Sequence, residues 1–217
     1  MNDIINLMKT IYLIRHAAPF VQIANYSEQN QILWSEINQN MILSSKGEEN
    51  AKKLCSVPEL KHVDEIFASN SARAIGTAKY LAASNNLKIR LDARINEREF
   101  GIKYLKELPN NFTQLSFENK NFKIGTGESL NEVDYRFQTF LNDLLTSEHN
   151  NFVIVIHGII LLSYLKTVCD HFEFDGKDFD IRFHNRIILK GTPLNPSIYK
   201  IEFDNQQQIK NIESINC

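Results

Sequence analysis

The sequence has few of the residues that characterise disulfide-bonded, membrane-spanning or nucleic-acid-binding proteins. Its 217 residues include only three cysteines, and no C-x-x-C pair occurs, which favours a reduced, cytoplasmic setting. The most apolar stretch, residues 152–165, contains His157 and is shorter than the ~20 residues that span a bilayer. The net charge of −2 predicts no electrostatic attraction to nucleic acid or to a membrane surface. We therefore expect neither partner, whereas the oligomeric state stays open.

Metal-binding patterns and linkers are also missing. The six histidines form no H-E-x-x-H motif, and no acidic residue stands at ligand spacing from His16 or His157. We therefore expect no metal and no other cofactor. The eight glycines and five prolines form neither a repeat nor a linker, so residues 1–217 are predicted to be a single domain.

Short apolar runs alternate with longer stretches of helical periodicity, which predicts an α/β fold with a mostly parallel central sheet. The predicted strands are residues 10–14, 64–68, 88–91, 152–156, 197–203 and 209–215. The predicted helices are residues 46–56, 72–84, 130–145 and 159–168. Two segments, about 20–43 and 102–127, do not fit this alternation and are predicted to be loop insertions near a functional site.

Arginine and histidine follow several predicted strands directly. Arg15 and His16 follow the first strand, Arg73 lies just after the second, and His157 follows the apolar run 152–156. Because parallel strands end at one edge of a sheet, these side chains are expected to converge there. Two guanidinium groups and two imidazoles suit a phosphoryl group, whose transition state spreads charge over its oxygens.

A leaving alkoxide needs a proton, so a carboxylic acid is expected near this cluster. The segment 94–101 follows the third strand and supplies two candidates, Glu97 and Glu99. Residue chemistry alone does not choose between them.

The segment Leu13-Ile14-Arg15-His16-Ala17 resembles the L-x-R-H-G signature of the histidine phosphatase superfamily, which includes cofactor-dependent phosphoglycerate mutase. Other segments resemble further elements of that family in the same order. They are L-S-S-K-G at 43–47, S-A-R-A-I-G-T-A at 71–78, N-E-R-E-F-G at 96–101, G-E-S-L at 127–130 with Arg136, V-I-H-G at 155–158 and L-N-P-S-I at 194–198.

The resemblance implies a three-layer α/β/α sandwich of the phosphoglycerate mutase type and a role for each site residue. His16 would be the nucleophile that forms a phosphohistidine, and Arg15 and Arg73 would hold the phosphoryl oxygens. His157 would stabilise the transferring group, and Glu97, four residues before the glycine, would be the acid–base residue. The implied partner is a small phosphorylated substrate.

The chain departs from the family pattern after the Arg-His pair. Ala17 replaces a glycine, Pro19 replaces a hydroxyl residue, and Gln22 stands at an asparagine position. The short span between Glu97 and His157 favours a phosphomonoester hydrolase over a mutase, while a phosphate-binding module with weakened catalysis is the other alternative. Aromatic residues of the two insertions could line the pocket or pack the loops onto the body. They are Phe20, Tyr26, Trp34, Phe112, Phe117 and Phe122.

Overall fold

The computed structural model describes residues 8–20 and 33–215. Within them, the strands are β1 Lys9–Arg15, β2 Glu65–Ala68, β3 Ile89–Leu91, β4 Asn151–Ile156, β5 His171–Phe174, β6 Phe179–Phe183, β7 Arg186–Gly191, β8 Ser197–Phe203 and β9 Ile209–Ile215. The helices are α1 Trp34–Asn40, α2 Ser45–Lys53, α3 Ala72–Asn85, α4 Phe112–Glu118, α5 Leu130–Thr146 and α6 Gly158–Val168. Short 3-10 turns lie at Leu54–Ser56, Pro58–Leu60, Ala93–Ile95 and Leu105–Glu107.

The main sheet has six strands in the order β3-β2-β4-β1-β8-β9. The strands β3, β2, β4 and β1 are parallel, and β8 and β9 run antiparallel beside β1. Because β1 and β4 are neighbours in register, with Arg15 opposite Ile156, their carboxyl ends meet at one point. The predicted fold class, an α/β/α sandwich with a mostly parallel sheet, is confirmed.

Alternate residues of β1 belong to different cores on the two faces of the sheet. Ile11 and Leu13 pack with α5 and α6, whereas Tyr12 and Ile14 pack with α3. A strand covered on both faces is apolar throughout, which is why the central strands contain almost no polar residues. The helices supply the matching stripes, and in α5 that stripe is Leu130, Val133, Phe137, Phe140, Leu141 and Leu144.

Two parts of the fold differ from the sequence-based expectation. The segments predicted as loop insertions, 20–43 and 102–127, contain the helices α1 and α4 and a 3-10 turn, because aromatic residues such as Phe112 are buried and order the chain. A second, three-stranded sheet in the order β5-β6-β7 was not predicted at all. Among the described residues, no helix is long and apolar enough to cross a membrane.

Candidate active site

His16 and His157 lie together at the carboxyl edge of the main sheet. Each follows a strand end directly, and the His16 N–H donates to the carbonyl of Ile156, the last residue of β4, at 2.9 Å. The centroids of the two imidazole rings are 5.1 Å apart. The two histidines predicted at separate strand ends are therefore neighbours.

The hydrogen bonds of His16 determine its tautomer. Its Nδ1 lies 2.8 Å from the carbonyl oxygen of Ala17, which can only accept, so Nδ1 carries the proton. The Nε2 atom then carries no proton, and its lone pair accepts a hydrogen bond from Nε of Arg73 at 3.1 Å. Burial, and next the positive charge of Arg73, lower the pKa of His16 to about 3. The imidazole is therefore neutral, with an unprotonated Nε2.

The backbone around His16 is held from two sides. The Nδ2 group of Asn195 donates to the His16 carbonyl at 2.7 Å, and the Ala17 N–H donates to Oγ1 of Thr77 at 2.9 Å. Gly47 lies against the next residue, since a Cβ at position 47 would stand 2.0 Å from the carbonyl oxygen of Ala18. This close approach of two backbones requires glycine and explains the glycine of the L-S-S-K-G segment.

Arg73, in the first turn of α3, connects the two histidines. Its side chain is only 4% exposed, and Nη2 donates to Nδ1 of His157 at 2.9 Å while Nε donates to His16. Asn38 of α1 contacts the guanidinium from a second direction, through Nη1 and the other hydrogen of Nη2. Nη2 donates to the Asn38 Oδ1 atom at 2.7 Å, and Nη1 donates to the Asn38 carbonyl. All of these acceptors are neutral, so none of them cancels the charge of Arg73.

His157 is fully buried and is also neutral. Because Arg73 can only donate, Nδ1 of His157 accepts and Nε2 carries the proton, which is donated to Oγ of Ser69 at 2.6 Å. Burial, and next the charge of Arg73, hold the pKa of His157 well below its usual value. Each of the two histidines is thus fixed in one tautomer by its neighbours.

Arg15 lies against the start of α6. Its Nη1 donates to the carbonyl of Pro193, whereas its buried Nε has no hydrogen-bond partner within residues 8–20 and 33–215. A Cβ at Gly158 would stand 3.4 Å from that Nε. That is an ordinary van der Waals distance, so the guanidinium packs directly against Gly158, and its Nε donor is left for a ligand.

Glu97 is the carboxylate beside the two arginines. Its carboxylate oxygens accept from the N–H groups of Ile159 and Ile160 at 3.2 and 3.3 Å, in the first turn of α6. Burial lowers the pKa of both Arg15 and Arg73, and the negative charge of Glu97 opposes that shift in each. The structure thus brings together all five residues predicted for the site, which are Arg15, His16, Arg73, Glu97 and His157.

Glu99, the other candidate acid, belongs to a different network. Glu99 is exposed, and its backbone N–H donates to Oε2 of Glu128 at 2.9 Å. Partial desolvation of the carboxyl group by the surrounding protein, and next the charge of Glu128, raise the pKa of Glu99. Glu128 also accepts two hydrogen bonds from Arg136, at 2.7 and 2.9 Å, which ties the G-E-S-L segment to α5.

Several supporting residues had no role in the sequence-based prediction. Arg98 is fully buried and donates to the carbonyls of Glu128 and Phe122 and to Oγ of Ser116, so it holds the 102–127 segment in place. Its position in N-E-R-E-F-G was the only signal that could have identified it. For Asn38 the sequence carries no signal, because its contact with Arg73 depends on how α1 packs.

The aromatic residues of the insertions mostly pack the chain. Phe112 and Phe117 are buried, and Trp34 stacks on Phe100 with ring centroids 5.5 Å apart. Phe20, in contrast, is half-exposed. Tyr26 and Gln22 lie outside the described residues, and Pro19 forms an isolated backbone bridge with Leu43.

Paired guanidinium groups and imidazoles beside a carboxylate, at the carboxyl edge of a parallel sheet, are typical of enzymes that transfer a phosphoryl group. A family model described as the histidine phosphatase superfamily (branch 1) matches residues 11–208. The chain belongs to this superfamily, as the sequence motifs predicted.

Relatives and solved structures agree with this assignment. The chain is 27% identical over 156 residues to phosphoserine phosphatase 1 of Hydrogenobacter thermophilus (strain DSM 6534 / IAM 12695 / TK-6), covering 69% of this chain and 70% of that protein. It is 25% identical over 169 residues to a protein named Probable phosphoglycerate mutase GpmB of Enterobacter sp. (strain 638), covering 74% and 75% respectively. These matches support a phosphatase enzyme in a family that also includes a mutase.

The fold is similar to that of a mycobacterial glucosyl-3-phosphoglycerate phosphatase, with a TM-score of 0.67 at 17% identity, covering 94% of this chain and 97% of that one.

Proposed function

We propose that the protein hydrolyses small phosphomonoesters through a phosphohistidine intermediate on His16. The observation that supports this most directly is the unprotonated Nε2 of His16, which lies beside Arg73 in a buried site. In the first step the Nε2 lone pair attacks phosphorus, and the bond from phosphorus to the ester oxygen breaks. The proton on Nδ1 stays in its hydrogen bond to Ala17 and stabilises the charge that the ring gains.

The two arginines and His157 stabilise the transferring group. Arg15 and Arg73 bind the equatorial phosphoryl oxygens, where the negative charge of the transition state lies. His157 acts through Arg73, because its Nδ1 accepts from the guanidinium and holds it beside the nucleophile.

Glu97 carries the proton in both steps. In its protonated form it donates to the leaving alkoxide, and the resulting carboxylate then takes a proton from the attacking water. Water attacks the phosphohistidine, the bond from phosphorus to Nε2 breaks, and inorganic phosphate leaves. The contacts of Glu97 with Ile159 and Ile160 support this assignment, since they fix the carboxylate beside both arginines.

The substrate class is proposed from the names of the relatives. Phosphoserine phosphatase 1 and the mutase-named relative are named for phosphoserine and phosphoglycerate, so phosphoserine and 3-phosphoglycerate are the first substrates to test. The name of the structural neighbour adds glucosyl-3-phosphoglycerate. The mutase-named relative supports one alternative, in which the phosphoryl group passes to a second hydroxyl. Interconversion of 2- and 3-phosphoglycerate without phosphate release would favour that alternative.

The proposed site belongs to a single catalytic domain in which the two insertions flank the site. The hydrogen bond from the backbone N–H of Trp34 to the Lys103 carbonyl, at 2.8 Å, supports this arrangement because it joins one insertion to the other.

The central experiment measures phosphate release from p-nitrophenyl phosphate, phosphoserine and 3-phosphoglycerate by the wild type and by His16→Ala. The variant is expected to lose turnover, whereas the control His171→Ala, changed in the second sheet, is expected to keep it. Rapid acid-free quenching and mass spectrometry should detect a phosphorylated peptide that contains His16. Turnover that survives His16→Ala would refute the mechanism, and tight phosphate binding without turnover would indicate a binding module.

A further inference from the structure

Asn38 is an unexpected partner of the phosphoryl-binding arginine. The guanidinium of Arg73 is planar, and its N–H groups point in fixed directions. One edge, formed by Nε and Nη2, faces His16 and His157. The end formed by Nη1 and Nη2 faces Asn38, which offers both its side-chain and its backbone oxygen. Asn38 thus contacts Arg73 from a direction different from that of the histidines.

The reaction requires only one of these two sides. A phosphoryl group that moves onto Nε2 of His16 has to lie beside the Nε–Nη2 edge of Arg73, where Nε now contacts that nitrogen. The Nη1–Nη2 end is not needed for this contact, so Asn38 can keep its hydrogen bonds when substrate is bound. A guanidinium held at one end loses less freedom when its other edge binds an oxyanion.

The helix that carries Asn38 is itself fixed at its beginning. The Trp34 ring stacks on Phe100 at an interplanar angle of 10°, and the backbone N–H of Trp34 donates to the Lys103 carbonyl. Phe100 and Lys103 follow Glu97 in the chain, and Asn38 lies one helical turn after Trp34. The helix α1 therefore connects the segment of the proposed acid to the arginine.

We propose that Asn38 is a positioning residue that fixes the plane of the Arg73 guanidinium for phosphoryl binding. This inference rests on the proposed function and adds to it a residue that belongs to none of the matching motifs. It assigns Asn38 an effect on the affinity for phosphate and on the rate, with no contact between Asn38 and the substrate.

The test compares Asn38→Ala, Asn38→Asp and the wild type. Asn38→Ala removes the Oδ1 acceptor, and we expect the dissociation constant for inorganic phosphate to rise on the order of ten-fold. With p-nitrophenyl phosphate, kcat should fall more than KM rises, because a misplaced guanidinium chiefly affects the transition state. Asn38→Asp keeps both acceptors but adds a negative charge beside Arg73. That charge offsets the positive charge of the guanidinium, so this variant should also weaken phosphate binding. The control Gln39→Ala, exposed on the same helix, should match the wild type.

Calorimetric titration with inorganic phosphate distinguishes positioning from a structural role, since partial unfolding lowers the number of sites but not their affinity. Phosphate binding by Asn38→Ala that is as tight as in the wild type, or tighter, would overturn the proposal. If Asn38→Ala does not fold, unchanged phosphate affinity in Asn38→Asp would overturn it instead. A wild type that binds phosphate without turnover would refute only the proposed function, whereas a wild type that binds none would refute both.

Discussion

The neutral, buried histidines predict that acid destabilises this fold well above the pH at which carboxylates are protonated. The pKa of His16 is lowered from its usual 6.5 to about 3, chiefly by burial and next by Arg73. An unfolded chain exposes the same imidazole to water, where it binds a proton below pH 6.5. The contribution of His16 to stability is therefore complete above that pH and is lost progressively as the pH falls towards 3.

The size of this effect follows from the two pKa values. Each pH unit over which only the unfolded chain binds the proton lowers the free energy of unfolding by about 1.4 kcal/mol. Between pH 7 and pH 5, His16 passes through about 1.5 such units, so we expect it alone to remove about 2 kcal/mol. His157, whose pKa is also lowered, acts in the same direction.

The measurement is urea denaturation of the wild type and His16→Gln at pH 7 and pH 5, followed by circular dichroism. Between pH 7 and pH 5, the unfolding free energy of His16→Gln should fall by about 2 kcal/mol less than that of the wild type, because the variant lacks the titrating imidazole. The control Ile154→Val, in β4, lowers stability through a small cavity but should keep the full fall with pH. An equal fall in His16→Gln and in the wild type would refute the conclusion that His16 is neutral and shielded in the folded protein.

Three further predictions concern the residues around the site. Glu97→Gln should lower kcat by about 10²- to 10⁴-fold with phosphoserine. The loss should be smaller with p-nitrophenyl phosphate, because its leaving group needs little protonation. The control Glu99→Gln should keep a kcat near that of the wild type, and equal losses in the two variants would contradict the assignment of Glu97. Gly47→Ala should lower the unfolding free energy by about 1–3 kcal/mol in urea titrations, since its Cβ would overlap the Ala18 carbonyl. Arg98→Met should cost on the order of 3 kcal/mol by the same measurement, because the buried Ser116 hydroxyl and two part-buried carbonyls lose their donor; a loss under about 0.5 kcal/mol would show that the acceptors find other donors.

The main sheet could be predicted because its strands carry an unambiguous pattern. The run Phe152–Ile156 is apolar throughout and ends directly at His157, so both its burial and its end are visible in the sequence. The same reasoning locates β1 and the Arg-His pair. Since parallel strands share one carboxyl edge, the meeting of these side chains follows from topology alone.

The second sheet carried a usable signal in only one strand. In β6, Phe179, Ile181 and Phe183 are buried and alternate with half-buried residues, a period-two pattern typical of a strand. Its neighbour β5 is at most half-buried, so its pattern is weak. Short strands of this kind are stabilised mainly by packing against the main body, here through Phe117, and the sequence does not show that contact.

The finer features of the site depend on tertiary contacts. The tautomer of His16 is set by the Ala17 carbonyl, and that of His157 by Ser69 and Arg73. Asn38 and Arg73 are 35 residues apart, and no periodicity links them. Likewise, Glu97 differs from Glu99 only because its carboxylate reaches the first turn of α6.

The order of strands in the main sheet also has a consequence for solubility. An exposed sheet edge is a template on which another chain can add a strand, and long, flat edges promote aggregation. Here one edge strand, β3, is only three residues long. At the other edge, β7 lies close to β9, and Arg186 donates to the Asn211 side chain at 2.9 Å. One edge of the sheet is thus short and the other is partly covered, which limits pairing with another chain even though the central strands are strongly apolar.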